Sequence, residues 1–195
     1  EPLTQYFYLR RNILKAKINI PGLDTTLYAV NIHATAFATD DTKQKHIDKF
    51  YDVLSAINEN DVFVAGGDLN ALNGEYVDNR DFCEVDKCAD DVCDGDVENN
   101  LIYQGSYFSH LEGEEEFLTP LYNFSSAIQL TETNSPENFT HSTWITSEDY
   151  VELDGPLNRK LDYIFSSGEL ENGTTHQEPF YLSDHAPVSA TLVLP

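Results

Sequence analysis

The sequence predicts an α/β domain, and three observations lead to that class. Two strand-like runs flank a Pro-Gly pair at residues 21–22, which is typical of a hairpin. A stretch with apolar residues at helical spacing comes next, and a short apolar run follows it. Strand, helix and strand in succession indicate a layered α/β arrangement. The length of 195 residues, with 11 Tyr and 11 Phe, suits one domain with a sizeable core.

The first elements are a predicted hairpin and a helix. Residues 13–20 alternate in character, and residues 26–33 form a second strand after the turn. Residues 41–59 are predicted to be helical, and residues 39–41 (Thr-Asp-Asp) offer side chains that can cap the N-terminus. The apolar positions that would face a sheet are Ile47, Phe50, Tyr51, Leu54 and Ile57.

The later elements are shorter. Residues 61–66 are predicted to be a buried strand, and the two glycines at its end are expected to let the backbone turn tightly and admit a substrate. Residues 117–131 are predicted to contain a short helix with flanking turns. Residues 140–145 and 160–165 are predicted strands. The last strand is predicted over residues 186–194, where apolar and polar residues alternate.

Residues 73–100 interrupt this pattern with an acidic segment that holds all three cysteines. We interpret it as an insertion loop within a single domain of residues 1–195. Cys83, Cys88 and Cys93 do not have a standard zinc spacing, and one disulfide plus a spare thiol is an alternative. Clustered carboxylates suit Ca²⁺, but the segment does not fit the EF-hand template. A solvated acidic loop is therefore the preferred interpretation.

The net charge of -23, from 34 acidic and 11 basic residues, describes the surface more than the fold. It argues against loose binding to nucleic acid, although divalent ions can supply positive charge locally. The composition favours an exported, extracytoplasmic or salt-adapted protein, and sequons at Asn123, Asn138 and Asn172 are close to chance in number. No run has the length of a transmembrane helix. Because the chain starts at Glu1 without Met or signal peptide, we expect it to be part of a longer polypeptide.

Polar residues follow two of the predicted strands. Asp68 can bind a metal or orient a water, and Asn70 can donate to a phosphate oxygen. The structural alternative for this pair is an Asx turn, which is common after a strand. His33 also ends an apolar strand, where a lone histidine is usually structural.

Two further positions carry chemistry near the C-terminus. Asp184 and His185 bring a carboxylate and an imidazole together just before a strand, with a polar turn as the alternative. Asp162 interrupts an apolar strand, so its carboxylate needs a partner. That partner is either His185 or a cation from Arg159 or Lys160.

Four segments combine these residues: VNIH at 30–33, GGDLN at 66–70, KLDYIF at 160–165 and LSDHAPV at 182–188. In this order they resemble the endonuclease/exonuclease/phosphatase superfamily, the DNase I-like proteins. That superfamily includes DNase I, abasic-site endonucleases, neutral sphingomyelinases and inositol-polyphosphate 5-phosphatases.

The resemblance implies a four-layer αββα sandwich with the site at the top of two packed sheets. It covers about residues 10–194 and corresponds to roughly the C-terminal two-thirds of a family member. The family's N-terminal portion supplies an Asn and a metal-binding Glu that have no counterpart here. We therefore expect part of the N-terminal half to be lacking and apolar sheet surface to be exposed.

The resemblance also implies a role for each polar residue. Asp68 and His185 align or activate the attacking water, and Asp162 supports His185. Asn70 and His33 hold the phosphate and stabilise the transition state.

The resemblance places Asp184 at a metal position, with Asp68 as a second ligand. Mg²⁺ suits such a site, with Mn²⁺ or Ca²⁺ as alternatives, and the principal Glu ligand is expected in the N-terminal portion. His33 favours the DNase, sphingomyelinase and 5-phosphatase branches, because abasic-site endonucleases carry a Tyr at that position.

The function that follows is a divalent-metal-dependent phosphoester hydrolase, namely a phosphodiesterase, nuclease or phosphatase that uses in-line water attack on phosphorus. The expected substrate is a nucleic acid, a phospholipid or a sugar phosphate, contacted by loops at residues 102–118 and 146–158. The alternative is a non-catalytic sandwich fragment that binds a partner, or Ca²⁺ through residues 84–98. We expect full activity only together with the N-terminal segment or chain.

Overall fold

The computed structural model describes residues 11–36, 41–72, 116–141, 157, 159–178 and 182–195. Its elements in chain order are β1 (Ile13–Ile18), β2 (Leu27–His33), α1 (Thr42–Ser55), β3 (Val62–Asp68), β4 (Ser125–Ser126), β5 (Asp162–Ser166), β6 (Leu170–Thr175) and β7 (Val188–Leu192). The predicted α/β class is confirmed by this mixture of sheet and helix. Within the described residues, no helix is both long and apolar enough to cross a membrane.

A five-stranded sheet in the order β1-β2-β3-β5-β4 forms the centre of the fold. β1 and β2 pair antiparallel, as the predicted hairpin requires, and β2 and β3 pair parallel across the connection through α1. β5 runs antiparallel to β3 and to β4. The register pairs His33 with Asp68, and Asp68 with Asp162. Three of the predicted site residues therefore lie in one row across three neighbouring strands.

Helix α1 packs on one face of this sheet and supplies much of the core. Ile47, Phe50 and Leu54 are fully buried, and they join Phe63 and Phe165 from the sheet in one apolar cluster. Burial of a side chain of this size contributes about 1.5–3 kcal/mol. The predicted apolar face of the helix is therefore confirmed, with Tyr51 and Ile57 only partly buried at its margin.

Two predictions about helices need correction. The helix ends at Ser55, earlier than predicted. Its N-cap residue Asp41 makes no side-chain capping bond, and the Asp41 carboxylate lies 2.6 Å from Lys45 Nζ. The short helix predicted within 117–131 is a 3-10 helix over Thr119–Asn123, and a second one, Leu130–Glu132, follows β4. Pairing of β4 with β5 requires extended backbone there, which breaks the helical pattern.

The predicted tight turn at Gly66 and Gly67 is also wrong, since both residues lie within β3. A Cβ on Gly66 would lie 2.3 Å from the Tyr163 carbonyl oxygen, and one on Gly67 would lie 1.9 Å from that of Ile32. Gly67 also has φ +138. The glycines are thus needed for close approach of the neighbouring strands, and the chain turns two residues later.

A second, two-stranded sheet of β6 and β7 follows, with β7 next to β5. Strand β6 was not predicted, and β7 is shorter than the predicted 186–194. Of the predicted strand 140–145, Thr140 and His141 are described; His141 forms isolated bridges with Arg159 and His185. The loop at 73–100, its cysteines and the predicted Ca²⁺ segment lie outside the described residues, as does most of 102–118 and 146–158.

Candidate active site

Asp68 lies at the centre of the candidate site, at the end of β3. Its Oδ2 is 3.3 Å from Nε2 of His33 and 4.0 Å from Nε2 of His185. The side chain of His33 is 56% exposed, whereas that of Asp68 is only 15% exposed. The strand register accounts for this arrangement, because it sets β2 and β5 on either side of Asp68. A partly buried carboxylate therefore meets one open and one half-buried imidazole.

Asn70 is held under Asp68 by a turn with φ +48. The Asn70 backbone N–H donates to Asp68 Oδ1 at 2.9 Å, which is the Asx turn that the sequence allowed. Its side-chain amide donates to Asp68 Oδ2 at 2.9 Å and to the Ala34 carbonyl oxygen at 3.2 Å. Asn70 is buried, and its side-chain amide is bound to Asp68 and Ala34, so in this arrangement it fixes the Asp68 carboxylate. The predicted donation to a phosphate oxygen requires one of these two bonds to open.

His185 forms the second half of the site with Asp162. Its Nδ1 is 2.8 Å from Asp162 Oδ2, and this hydrogen bond raises the pKa of His185 although burial opposes it. Among the predicted alternatives, Lys160 lies over the Tyr163 ring at 5.2 Å from its centroid. Burial lowers the pKa of Lys160 to about 8, against the opposing effect of the Asp162 charge. The carboxylate therefore holds the imidazole through Nδ1, which leaves Nε2 directed at Asp68.

The pKa of Asp68 is raised, first by burial and then by the Asp162 charge. The bond from Asn70 and the two histidines lower it, but they do not offset the burial. Two carboxylates near one another in a partly buried site favour a shared proton or a cation. Burial and the neighbouring carboxylate thus both disfavour the charged form of Asp68.

A cleft of about 420 Å³ opens beside this group, between β5 and the segment before β7. It is lined by Gly67, Asp162, Ile164, Ser183, His185 and Pro187, among others. The Ser183 Oγ accepts the His185 backbone N–H at 3.1 Å, which helps to position the ring at the mouth of the cleft. Asp184 is exposed beside it.

His141 is a neighbour that sequence reasoning missed. Its ring centroid lies 4.4 Å from that of His185, and one donor atom each of His141, Asp184 and His185 lie within 4.8 Å of one another. Burial, followed by the charges of His185 and Arg159, lowers the pKa of His141 to about 4. The available signal was the strand predicted at 140–145, but no pattern in the sequence indicated its partner.

Thr140 is a second missed residue. Its Oγ1 accepts the backbone N–H groups of Leu161 and Asp162, at 2.9 and 3.0 Å, and so fixes the start of β5. Its own carbonyl oxygen accepts the Ala186 N–H at 2.7 Å. One residue thus ties the segment that carries Asp162 to the segment that carries His185.

Comparison with known proteins gives the family and the fold. A model of the Endonuclease/Exonuclease/phosphatase family matches residues 2–185, whereas no curated protein matches the sequence. The structure is similar to an AP endonuclease from Archaeoglobus fulgidus, at 12% identity and a TM-score of 0.55, over 91% of this chain and 64% of that one.

Two further solved structures are similar. One is a beta toxin from Staphylococcus aureus, at 14% identity and a TM-score of 0.50, over 94% of this chain and 57% of the toxin. The other is a humanized TDP2 from D. rerio, at 15% identity and a TM-score of 0.50, over 94% of this chain and 61% of that one. The chain thus spans less than two thirds of each relative. At these identities the likeness concerns the fold, and it confirms the predicted DNase I-like architecture.

Proposed function

The chain belongs to the Endonuclease/Exonuclease/phosphatase family, and we propose that it carries the proton-transfer residues of a divalent-metal-dependent phosphoester hydrolase. The observation that carries the proposal is a succession of side-chain contacts. Asp162 lies 2.8 Å from Nδ1 of His185, and Nε2 of the same ring lies 4.0 Å from Asp68. This succession joins His185, a histidine of raised pKa that lines the cleft, to Asp68, a carboxylate of raised pKa next to it. Perturbed titratable groups in a cleft favour a catalytic site over a structural ion pair.

The proposed reaction is in-line hydrolysis. The oxygen of a water bonds to phosphorus while the ester P–O bond on the opposite side breaks, and the leaving oxygen takes up a proton. With Nδ1–H held by Asp162, the Nε2 lone pair of neutral His185 is available to accept the proton of the water. Asp68, held by Asn70, lies close enough to orient that water or share its proton. Asp162 then stabilises the imidazolium that forms.

His33 is the group best placed to meet the phosphate. Its imidazole is open to solvent and its Nε2 faces Asp68, so a phosphoryl oxygen beside Asp68 would lie within reach of the ring. A hydrogen bond from His33 to that oxygen would strengthen as negative charge develops in the transition state. This role matches the one that the sequence predicted.

Asp68 and Asp184 offer carboxylate oxygens, the ligand type that a hard divalent cation such as Mg²⁺ takes. Burial, and then the charge of Asp162, raises the pKa of Asp68, and a bound cation would offset the second of these effects. Asp184 is a further exposed carboxylate beside His185. Asp68 and Asp184 would hold Mg²⁺, or Mn²⁺ or Ca²⁺ instead, together with a Glu from outside this chain. The bound ion would supply positive charge to the phosphoryl oxygens.

The charge pattern bears on the substrate. Among the described residues that line the cleft, none is Lys or Arg, so long polyanions gain little attraction there. This pattern and His33 favour a compact phosphoester, such as a lipid or sugar phosphate or a short stretch of DNA. The alternative of a non-catalytic sandwich fragment that binds a partner, or Ca²⁺ through residues 84–98, stays a prediction, because residues 84–98 lie outside the described part of the chain.

Hydrolysis of bis-p-nitrophenyl phosphate by the 195-residue chain tests the proposal. We expect turnover that needs Mg²⁺ and is abolished by a chelator, and we expect it to be slow because the principal Glu ligand is proposed to come from a further N-terminal portion. His185→Ala should lower it by about 10²–10⁴-fold, as for loss of a general acid or base. His176→Ala is the matched control, since the His176 ring bonds Ser189 instead of a site carboxylate.

Turnover that is independent of metal, or equal in the His185 and His176 variants, would remove the proposal. If the proposal stands, sphingomyelin, inositol phosphates and oligonucleotides assayed in parallel identify the substrate class. A detectable rate on one class alone is the expected result.

A further inference from the structure

His185 also belongs to a second group of side chains, which offers a different set of donor atoms from the carboxylates proposed to hold Mg²⁺. One donor atom each of His141, Asp184 and His185 come within 4.8 Å of one another. Two of these donors are imidazole nitrogens and the third is a carboxylate oxygen. Mg²⁺ prefers oxygen ligands alone, whereas Zn²⁺ readily takes two imidazoles and a carboxylate and keeps a fourth position open.

The backbone holds this group together. His141 forms isolated bridges with both Arg159 and His185, so two of the three ligands come from paired segments. Next to the two histidines, the N–H of Ala186, which follows His185, donates at 2.7 Å to the carbonyl oxygen of Thr140, which precedes His141. Ligands on backbone that is tied in this way lose little freedom when they bind an ion.

The surroundings of His185 also match those of a metal-bound histidine. Ligating histidines usually donate their other ring N–H to a carboxylate, which fixes the tautomer. Asp162 supplies such a carboxylate at 2.8 Å from Nδ1. His141 is buried and Asp184 is exposed, so the group has a buried side and an open side through which an ion can enter.

We propose that His141, Asp184 and His185 form a binding site for Zn²⁺ or a similar borderline-soft divalent cation, which shares Asp184 with the oxygen-ligand site proposed above for the catalytic ion. An imidazole that ligates an ion through one nitrogen cannot accept a proton there. Occupancy would therefore inhibit the hydrolysis proposed above, and this consequence, unlike the binding itself, rests on the proposed function.

Binding is measured on the 195-residue chain with Zn²⁺ by calorimetry and with Co²⁺ by visible absorption. We expect one tight site, with the d–d bands of Co²⁺ at low coordination number and no thiolate charge-transfer band. His141→Gln and Asp184→Asn should each weaken Zn²⁺ binding by at least about tenfold, the smallest effect usual even for residues that only support a ligand. His176→Gln is the matched control and should leave the affinity unchanged.

Three results would overturn the site. They are the absence of tight binding, an affinity that His141→Gln leaves intact in a folded protein, and a thiolate band that disappears when Cys83, Cys88 and Cys93 are replaced by Ser. Circular dichroism checks folding, and Asp184→Asn, at an exposed position, decides the matter if the buried His141 variant does not fold.

Inhibition is measured separately, as the loss of Mg²⁺-dependent hydrolysis with added Zn²⁺ relative to each variant's own zinc-free rate. Inhibition that His141→Gln weakens supports the proposal. Tight binding without measurable hydrolysis would leave the zinc site standing and count against the proposed function only.

Discussion

Asp162→Asn is the most direct test of the proposed chemistry, because it removes one charge and keeps the shape of the side chain. The lost interaction is the 2.8 Å bond between Asp162 Oδ2 and His185 Nδ1. A hydrogen bond to a charged group contributes about 1.5–3 kcal/mol. If the imidazolium forms only in the transition state, that loss lowers the rate roughly 10- to 160-fold. A wrong tautomer of His185 would lower it further.

The pH dependence separates this mechanism from simple loss of packing. The bond from Asp162 raises the pKa of His185, and the Asp162 charge raises that of Asp68. If the neutral imidazole is the base, the rate of the native protein falls as pH drops through the raised pKa. In Asp162→Asn both causes are gone, so the acid limb of the pH–rate profile should move to lower pH.

Stability gives a second measurement with a definite sign. A histidine whose pKa is raised on folding contributes stability that is fully present below its unfolded pKa of about 6.5 and is lost as pH rises through the folded value. Urea unfolding should therefore show Asp162→Asn to be more destabilising at pH 6 than at pH 8.5. Asp52→Asn is the matched control, since the Asp52 carboxylate is exposed on α1 and lies 4.0 Å from its nearest cation. A folded Asp162→Asn with a native rate and an unmoved acid limb would refute the reasoning.

Three further outcomes are expected. Asp68→Asn should lose hydrolysis yet raise the free energy of unfolding at neutral pH, because burial and a neighbouring charge raise the pKa of Asp68. Urea titration should show this gain in the free energy of unfolding becoming smaller as pH falls through the pKa of Asp68. Gly67→Ala should destabilise the protein by more than about 2 kcal/mol, because its Cβ would lie 1.9 Å from a β2 carbonyl oxygen. Gly22→Ala has open space around the Cβ at φ +88 and should cost about 1–2 kcal/mol, so equal costs by urea unfolding would contradict this. His185→Ala should cost far more activity than replacing any of the three cysteines, which should alter thermal stability first; steady-state kinetics on one phosphodiester decides between them.

The sequence predicted the elements whose residues repeat with a clear period. The β1–β2 hairpin and α1 follow from alternation, the turn at residues 21–22 and helical spacing, and the structure contains all three. The boundaries differ from the prediction, since α1 ends at Ser55 although Ile57 beyond it still packs against the core. The pairing of Asp162 with His185 also agrees with the structure, although the family resemblance suggested it and the residue pattern alone left cations as alternatives.

The missed features depend on contacts that no local pattern contains. Strand β6 has a polar sequence, LENGTT, and is a strand because it pairs with β7. Gly66 and Gly67 resemble a turn in sequence, but both lie within β3, where a Cβ at either position would clash with a carbonyl oxygen of a neighbouring strand. His141 became a site neighbour through backbone bridges to Arg159 and His185, more than 15 residues away along the chain.

Two of the four described residues with positive φ lie at the edge of the sheet where β3 ends, and the other two are Gly22 in the hairpin turn and Asn172 in β6. Gly67 at φ +138 and Asn70 at φ +48 flank Asp68, whose charged form is disfavoured by burial and by a second carboxylate. A one-residue slip of β3 would turn Asp68 to the other face and release that repulsion, but it would also remove the row with His33 and Asp162. Strain and unfavourable charge that persist together in one row are typical of functional sites, where the rest of the fold holds them in place. The same edge therefore combines the local instability and the proposed chemistry, which is why Asp68→Asn should stabilise the protein that it inactivates.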